Sequence, residues 1–150
     1  MTDFFQFESD FVDSLRCIPM QVRYKLDTCG VKLKLAHWHQ FSPAERQQLV
    51  DLDCTTAAET EHYRLVLRQL VQAHTGELPA DLLIDPQPAW TDATTIPESV
   101  VAQAQSVDQT IRLDQWAQLS PLQRFALIKL SRSQHENKNF LPALQEFHLL

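Results

Sequence analysis

Apolar positions along this chain recur at spacings of three and four, the period of helices that bury one face. Val22, Leu26 and Cys29 form one such stripe, and Val100, Ala104 and Val107 form another with the same spacing. Pro19 and Pro97 stand just ahead of these stripes. A first helical residue tolerates proline because its amide has no intrahelical partner, so a helix is predicted to begin at each. Gly30 is predicted to end the first of them. Leu35, Trp38 and Phe41, and later Leu113, Trp116 and Leu119, recur at threes and predict a short helical turn carrying an aromatic into the core. Ser42-Pro43-Ala44-Glu45 and Ser120-Pro121-Leu122-Gln123 then read as capping boxes. In each, the serine oxygen accepts from the third helical amide and the Glu or Gln reaches back. A third box, Thr56 to Glu59, opens a longer stripe of Tyr63, Val66, Leu67, Leu70, Val71 and His74 that stops at Gly76. Phe140, Leu141, Leu144 and Phe147 predict a last helix from about Asn139 to His148, with Pro142 tolerable only in its first turn.

These elements come in two sets. Shifted by 78 positions, Ile18 to Leu52 falls without a gap on Ile96 to Leu130, and 11 of 35 positions are identical. Chance would give roughly two or three, so an internal repeat is the better explanation. Between the sets, Gly76 to Pro97 holds Pro79, Pro86, Pro88 and Pro97 and reads as an extended linker. Its Leu82, Leu83, Ile84 and Trp90 predict docking along the surface. The expected architecture is a single all-α domain over residues 1–150: repeat one over about 18–75, a Pro-rich connector over about 76–95, and repeat two over about 96–150. Each half is small for a core of its own, so the two are expected to share one.

Composition agrees with helices. The chain has only 2 Gly in 150 residues, and 21 Leu, 16 Gln and 13 Ala outnumber 14 Val plus Ile, a balance that nearly excludes an all-β fold. Apolar runs fall far short of the roughly 20 residues that span a bilayer. The N-terminus is acidic where a secretory signal would be basic. Three cysteines without a CxxC pair suit reduced thiols. A soluble, cytoplasmic protein is expected. The net charge of −6 argues against bulk nucleic-acid binding. It is unevenly spread: Arg16 to Lys34 carries five basic residues and one acid, whereas Gln69 to Ile111 carries six acids and no Lys or Arg.

Positions kept in both repeats are most simply scaffold. Trp38 and Arg46, with Trp116 and Arg124, fall in that class, each Arg lying eight residues after its Trp. Polar positions found in one repeat alone have no shared structural reason. Two segments qualify: Arg16, Arg23, Lys25, Asp27, Lys32 and Lys34, and then Arg132, His135, Glu136, Asn137, Lys138 and Asn139. Lys34 is the weakest member, because Arg112 keeps its charge in the second repeat. The plain reading is a solvated helix face and a solvated loop; the sharper one is a docking surface for an acidic protein partner. Cys29 has Val107 opposite and reads as a buried, inert thiol. Cys17, Cys54, His37 and His39 have no counterpart of their kind and make a metal site conceivable, though their spacing matches no compact ligand signature. No glycine-rich phosphate loop, nucleophile elbow or paired-histidine metalloprotease helix occurs. An enzyme, a metal ligand set and a bound cofactor are therefore not expected.

The strings Ser14-Leu-Arg-Cys-Ile-Pro-Met-Gln-Val-Arg-Tyr-Lys-Leu-Asp27 and Leu127-Ile-Lys-Leu-Ser-Arg132, with His135-Glu-Asn-Lys-Asn-Phe-Leu-Pro-Ala-Leu144, resemble the cyanobacterial nitrate reductase-associated protein family. The resemblance runs from about Phe5 to Phe147 and carries no ligand or catalytic residues with it. It implies a small cytoplasmic accessory protein needed for active assimilatory nitrate reductase, acting in its maturation and not in the catalytic chemistry. The absence of catalytic motifs together with the unshared basic surface adds the expectation that it binds the apo form. The resemblance also implies that this partner holds a molybdenum cofactor and an iron-sulfur cluster. Two other readings stay open: a carrier that holds metal or cluster through Cys17, Cys54 and His37 or His39, and a permanent small subunit of the reductase.

Overall fold

The computed structural model describes residues 4–9, 15, 17–133 and 136–150, and it is mostly helical. In chain order the helices are α1 (Met20–Cys29), α2 (Leu35–Gln40), α3 (Pro43–Asp51), α4 (Ala57–Thr75), α5 (Glu98–Ser106), α6 (Leu113–Gln118), α7 (Pro121–Arg132) and α8 (Phe140–Glu146). Two short strands, β1 (Val31–Lys32) and β2 (Ala80–Asp81), pair antiparallel. The chain divides into two compact units, one holding Glu8–Ile84 and the other Phe5–Phe7 with Asp85–Leu150.

In the first unit α1 packs on α4 and α3, and α2 also packs on α4. The stripe Val22, Leu26 and Cys29 is buried and joins Trp38, Phe41, Leu49, Tyr63, Leu67 and Val71 in one apolar cluster. Pro19 is the N-cap of α1, one residue before the helix proper. Proline offers no capping side chain, and the buried Glu8 supplies the missing acceptor: its Oε1 takes the Met20 amide at 2.7 Å. Gly30 ends α1 in the left-handed region at φ 76°, and its carbonyl accepts the Leu82 amide at 2.8 Å, extending the β1–β2 pair.

The second unit is built around α7. Phe125, Ala126, Leu127, Ile128 and Leu130 are buried, so α7 is apolar almost all round. It packs on α5, on α8 and on the 3-10 turn Ala89–Thr91, where Trp90 stacks on Phe125 with centroids 5.0 Å apart. Val100 and Ala104 are buried as expected, while Val107 is half-buried and serves as the C-cap of α5. The last helix begins at Phe140, after a 3-10 turn over Asn137–Asn139.

All three predicted capping boxes form. Ser42 Oγ accepts the Glu45 amide and Ser120 Oγ accepts the Gln123 amide, both at 3.1 Å, and Thr56 Oγ1 accepts that of Glu59 at 3.1 Å. The short aromatic helices also form, with Trp38 and Trp116 fully buried, although Leu35 and Leu113 at their first positions are about half exposed. Each indole N–H donates to a carbonyl upstream: Trp38 to Leu15 at 2.7 Å and Trp116 to Asp92 at 3.0 Å. The segment after α4 departs from expectation at two residues. Leu83 is 99% exposed and Ile84 52% exposed instead of docked.

Candidate interaction surface

The first polar segment divides into cations the fold uses and cations it leaves outside. Arg23 is half-buried, and its Nε donates to the Ile18 carbonyl at 3.0 Å. Lys25 reaches across from α1 to the end of α3, where its Nζ donates to the carbonyls of Val50 at 2.7 Å and Leu52 at 2.6 Å. The ammonium also lies 5.7 Å from the centroid of the Tyr63 ring. Burial lowers the Lys25 pKa, partly offset by Cys54, Asp53 and Asp51. Asp27 is half-buried on the same helix. Lys32, on β1, and Lys34, the N-cap of α2, are exposed. Arg16 lies outside the described residues.

The second segment follows α7. Arg132 is exposed at the end of that helix, and Asn137 and Lys138 are exposed in the 3-10 turn after it. Glu136 and Asn139 are half-buried and brace the turn: the Glu136 amide donates to Ser133 Oγ at 3.1 Å, and the Asn139 amide donates to the Glu136 carbonyl at 2.9 Å. His135 lies outside the described residues. The two segments belong to different units.

The thiols and histidines have other surroundings. Cys29 is buried, its Sγ directed at the Leu26 carbonyl, and desolvation pushes its pKa up to about 12. Cys54 is also buried, 3.8 Å from both the Lys25 carbonyl and Thr60 Oγ1, and burial raises its pKa as well. Both are thiols, not thiolates, at neutral pH. Cys17 is half-buried. His37 Nδ1 accepts the Lys34 amide at 3.2 Å, closing the first turn of α2, and this acceptor role requires the neutral ring. Desolvation and then Lys34 lower its pKa, consistent with that state. His39 is exposed, and its carbonyl accepts from Arg46 Nη2 at 3.0 Å. Among the described residues no group of three or more His, Cys, Asp or Glu side chains is placed to hold a metal ion. No described helix is long and apolar enough to cross a membrane.

The sequence model of the conserved nitrate reductase-associated proteins matches residues 4–147. The chain belongs to that family. No curated protein and no solved structure matches it.

The family's name implies association with nitrate reductase. Sequence reasoning located the charged segments of this family member but not the division of labour within them. The ties of Arg23 and Lys25 run to backbone carbonyls, which leave no mark in a sequence. Glu8, whose carboxylate caps α1, was missed for the same reason. His37 had a readable signal: it stands three residues after Lys34, where Gln115 stands three after Arg112, and the Gln115 Oε1 accepts the Arg112 amide at 2.9 Å.

Proposed function

We propose that the chain is a non-catalytic accessory factor that promotes maturation of assimilatory nitrate reductase by binding the enzyme, with preference for its apo form. The observation that carries this reading is the family match over residues 4–147. By the resemblance set out above, the reductase needs a molybdenum cofactor and an iron-sulfur cluster. A protein that holds the apo-enzyme open while they enter fits a small helical partner with outward-facing charge.

Two separate surfaces are proposed for this contact, the exposed part of each polar segment. Lys32 and Lys34 are the cations of the one on the first unit, and Arg132 and Lys138 are the cations of the one on the second. Asp27, Glu136, Asn137 and Asn139 stand beside them as polar neighbours. Arg23 and Lys25 serve mainly to hold α1, so they shape the first surface more than they contact a partner. Cations at a rim set encounter rate and partner choice more than raw affinity, which suits a transient helper. We further read the two units as diverged copies of one ancestral unit joined by the Pro-rich connector. The Trp, capping-serine and left-handed C-terminal residues at matching positions support that reading.

Capture of apo-reductase and holo-reductase by the immobilised full chain tests the proposal. The triple variant Lys32→Glu, Lys34→Glu, Arg132→Glu should lose about tenfold in capture of the apo-enzyme while keeping its far-ultraviolet circular dichroism. Unchanged capture removes the proposed surfaces. Equal capture of both enzyme forms removes the preference for the apo state.

A further inference from the structure

After α4 the chain builds an edge that the fold does not cover. Pro79 is buried, and Ala80–Asp81 then pairs with Val31–Lys32 in the register Val31 to Asp81 and Lys32 to Ala80. The Leu82 amide continues the ladder to the Gly30 carbonyl. Antiparallel partners alternate between hydrogen-bonded and non-bonded pairs. Ala80 and Leu82 therefore direct their amides and carbonyls toward β1, while Asp81 and Leu83 direct theirs away. Leu83 is 99% exposed, and Leu78 and Ile84 are 49% and 52% exposed. An open strand edge tipped with apolar side chains is a template for another strand.

Charge decides what kind of strand fits. Residues 69–111 hold six acids and no Lys or Arg. Asp81 is occupied internally, its Oδ1 taking Arg64 Nη2 at 2.6 Å with Arg68 Nη1 at 3.7 Å. Glu77 and Asp85 flank the strand, are exposed, and have no ion-pair partner among the described residues. Pairing this edge with the same edge of a second copy would bring acids against acids, which is unfavourable. Pro86 and Pro88 follow and lack amide donors, so the usable edge ends there.

We propose that the outer edge of β2, from Leu78 to Ile84, is a docking strand for an extended basic segment of a partner protein. The segment adds through the outward amides and carbonyls of Asp81 and Leu83, lays an apolar side chain on Leu83, and sets Lys or Arg against Glu77. Lys32, a cation of the first surface proposed above, stands opposite Ala80 on β1, so the two surfaces adjoin; this inference rests on the outer edge of β2 and its acids and not on that reading.

The probe is a fluorescein-labelled octapeptide of alternating Lys and Val, titrated with the full chain and followed by fluorescence anisotropy. Two control peptides replace every Lys by Glu or N-methylate alternate amides. The basic peptide should bind, and both controls should bind at least about tenfold more weakly. Leu83→Pro removes an outward amide that β1 does not use. It should weaken binding by a similar factor with unchanged circular dichroism, and Glu77→Lys should weaken it by about threefold and reduce its salt dependence. The N-methylated control probes the wild-type chain, so the test does not rest on a variant folding. Basic-peptide binding absent up to about 1 mM, equal binding of the acidic peptide, or indifference to both N-methylation and Leu83→Pro would overturn the proposal.

Discussion

Arg46 and Arg124 occupy matching positions eight residues after a buried tryptophan, yet their guanidinium groups fare differently. Arg46 donates from Nε to the Trp38 carbonyl at 3.0 Å, from Nη1 to Leu15 at 3.3 Å and from Nη2 to His39 at 3.0 Å, and its carbon lies 5.9 Å from the Trp38 ring centroid. It binds α2 to the chain on both sides. Arg124 is 7% exposed and donates from Nη2 to the Leu119 carbonyl at 2.8 Å, but its Nε and Nη1 have no hydrogen-bond partner among the described residues. The Asp92 carboxylate, whose pKa is lowered mainly by Thr94, feels Arg124 only as a minor charge. A residue shared between the units is therefore a tie in one and a desolvated charge in the other. Identity at a position does not fix the energy it supplies.

The largest contrast should follow from removing each guanidinium. Arg46→Met is expected to cost about 2–3 kcal/mol, because several charge-assisted bonds to carbonyls vanish together. Arg124→Met should be neutral or stabilising by about 1 kcal/mol, since it removes a charge that is poorly repaid. Urea denaturation of both variants measures the difference, and equal costs would break the comparison. The next contrast lies at the ends of α1 and α5. Gly30 has φ 76°, while Asp108, its positional counterpart, holds φ 58° with a side chain. Gly30→Ala should lose about 1–2 kcal/mol to the left-handed conformation, with crowding by Ile84 added, and Asp108→Gly should gain about 0.5–1 kcal/mol in thermal unfolding.

The smallest contrast concerns pH. Glu45 Oε1 accepts the Ser42 amide and meets His74 Nε2 at 2.8 Å, whereas the matching Gln123 does not titrate. The Ser42 amide and then His74 hold the Glu45 pKa below its ordinary value of 4.5. A depressed carboxylate pKa contributes stability above the unfolded value and loses it as the pH falls through the folded one. Glu45→Gln should therefore flatten the acid limb below pH 4.5. The Glu45 side chain is 27% exposed at the surface, and screening there holds the effect to about a few tenths of a kcal/mol. A pH titration of urea midpoints would show it, and an unchanged acid limb would count against the bridge.

What the sequence made readable was local. Ser-Pro-x-Glu and Ser-Pro-x-Gln place every atom of a cap within four residues, and those caps formed where the spacing put them. The stripes of α1 and α4 were legible because burial on one face repeats every turn. Strands of two residues have no period to detect, so β1 and β2 went unseen, and with them the reason Leu83 stands outside. Pro19 and Pro97 were placed one residue too far into their helices, because a cap and a first helical position look alike in sequence. The charged segments were readable as charge alone. Which cations the fold consumes depends on carbonyls brought from 25 and 27 residues away, as for Lys25.

The end of α3 shows what such long ties do. The Leu49 carbonyl accepts the Tyr63 hydroxyl at 2.7 Å, while those of Val50 and Leu52 accept Lys25, so side chains from α4 and α1 close on one helix end. Peeling away α4 alone would leave the Leu49 carbonyl without its donor, and peeling away α1 alone would leave those of Val50 and Leu52 without theirs. Partial opening is thus dearer than its buried area suggests, and α1, α3 and α4 should exchange their amide protons as one cooperative block.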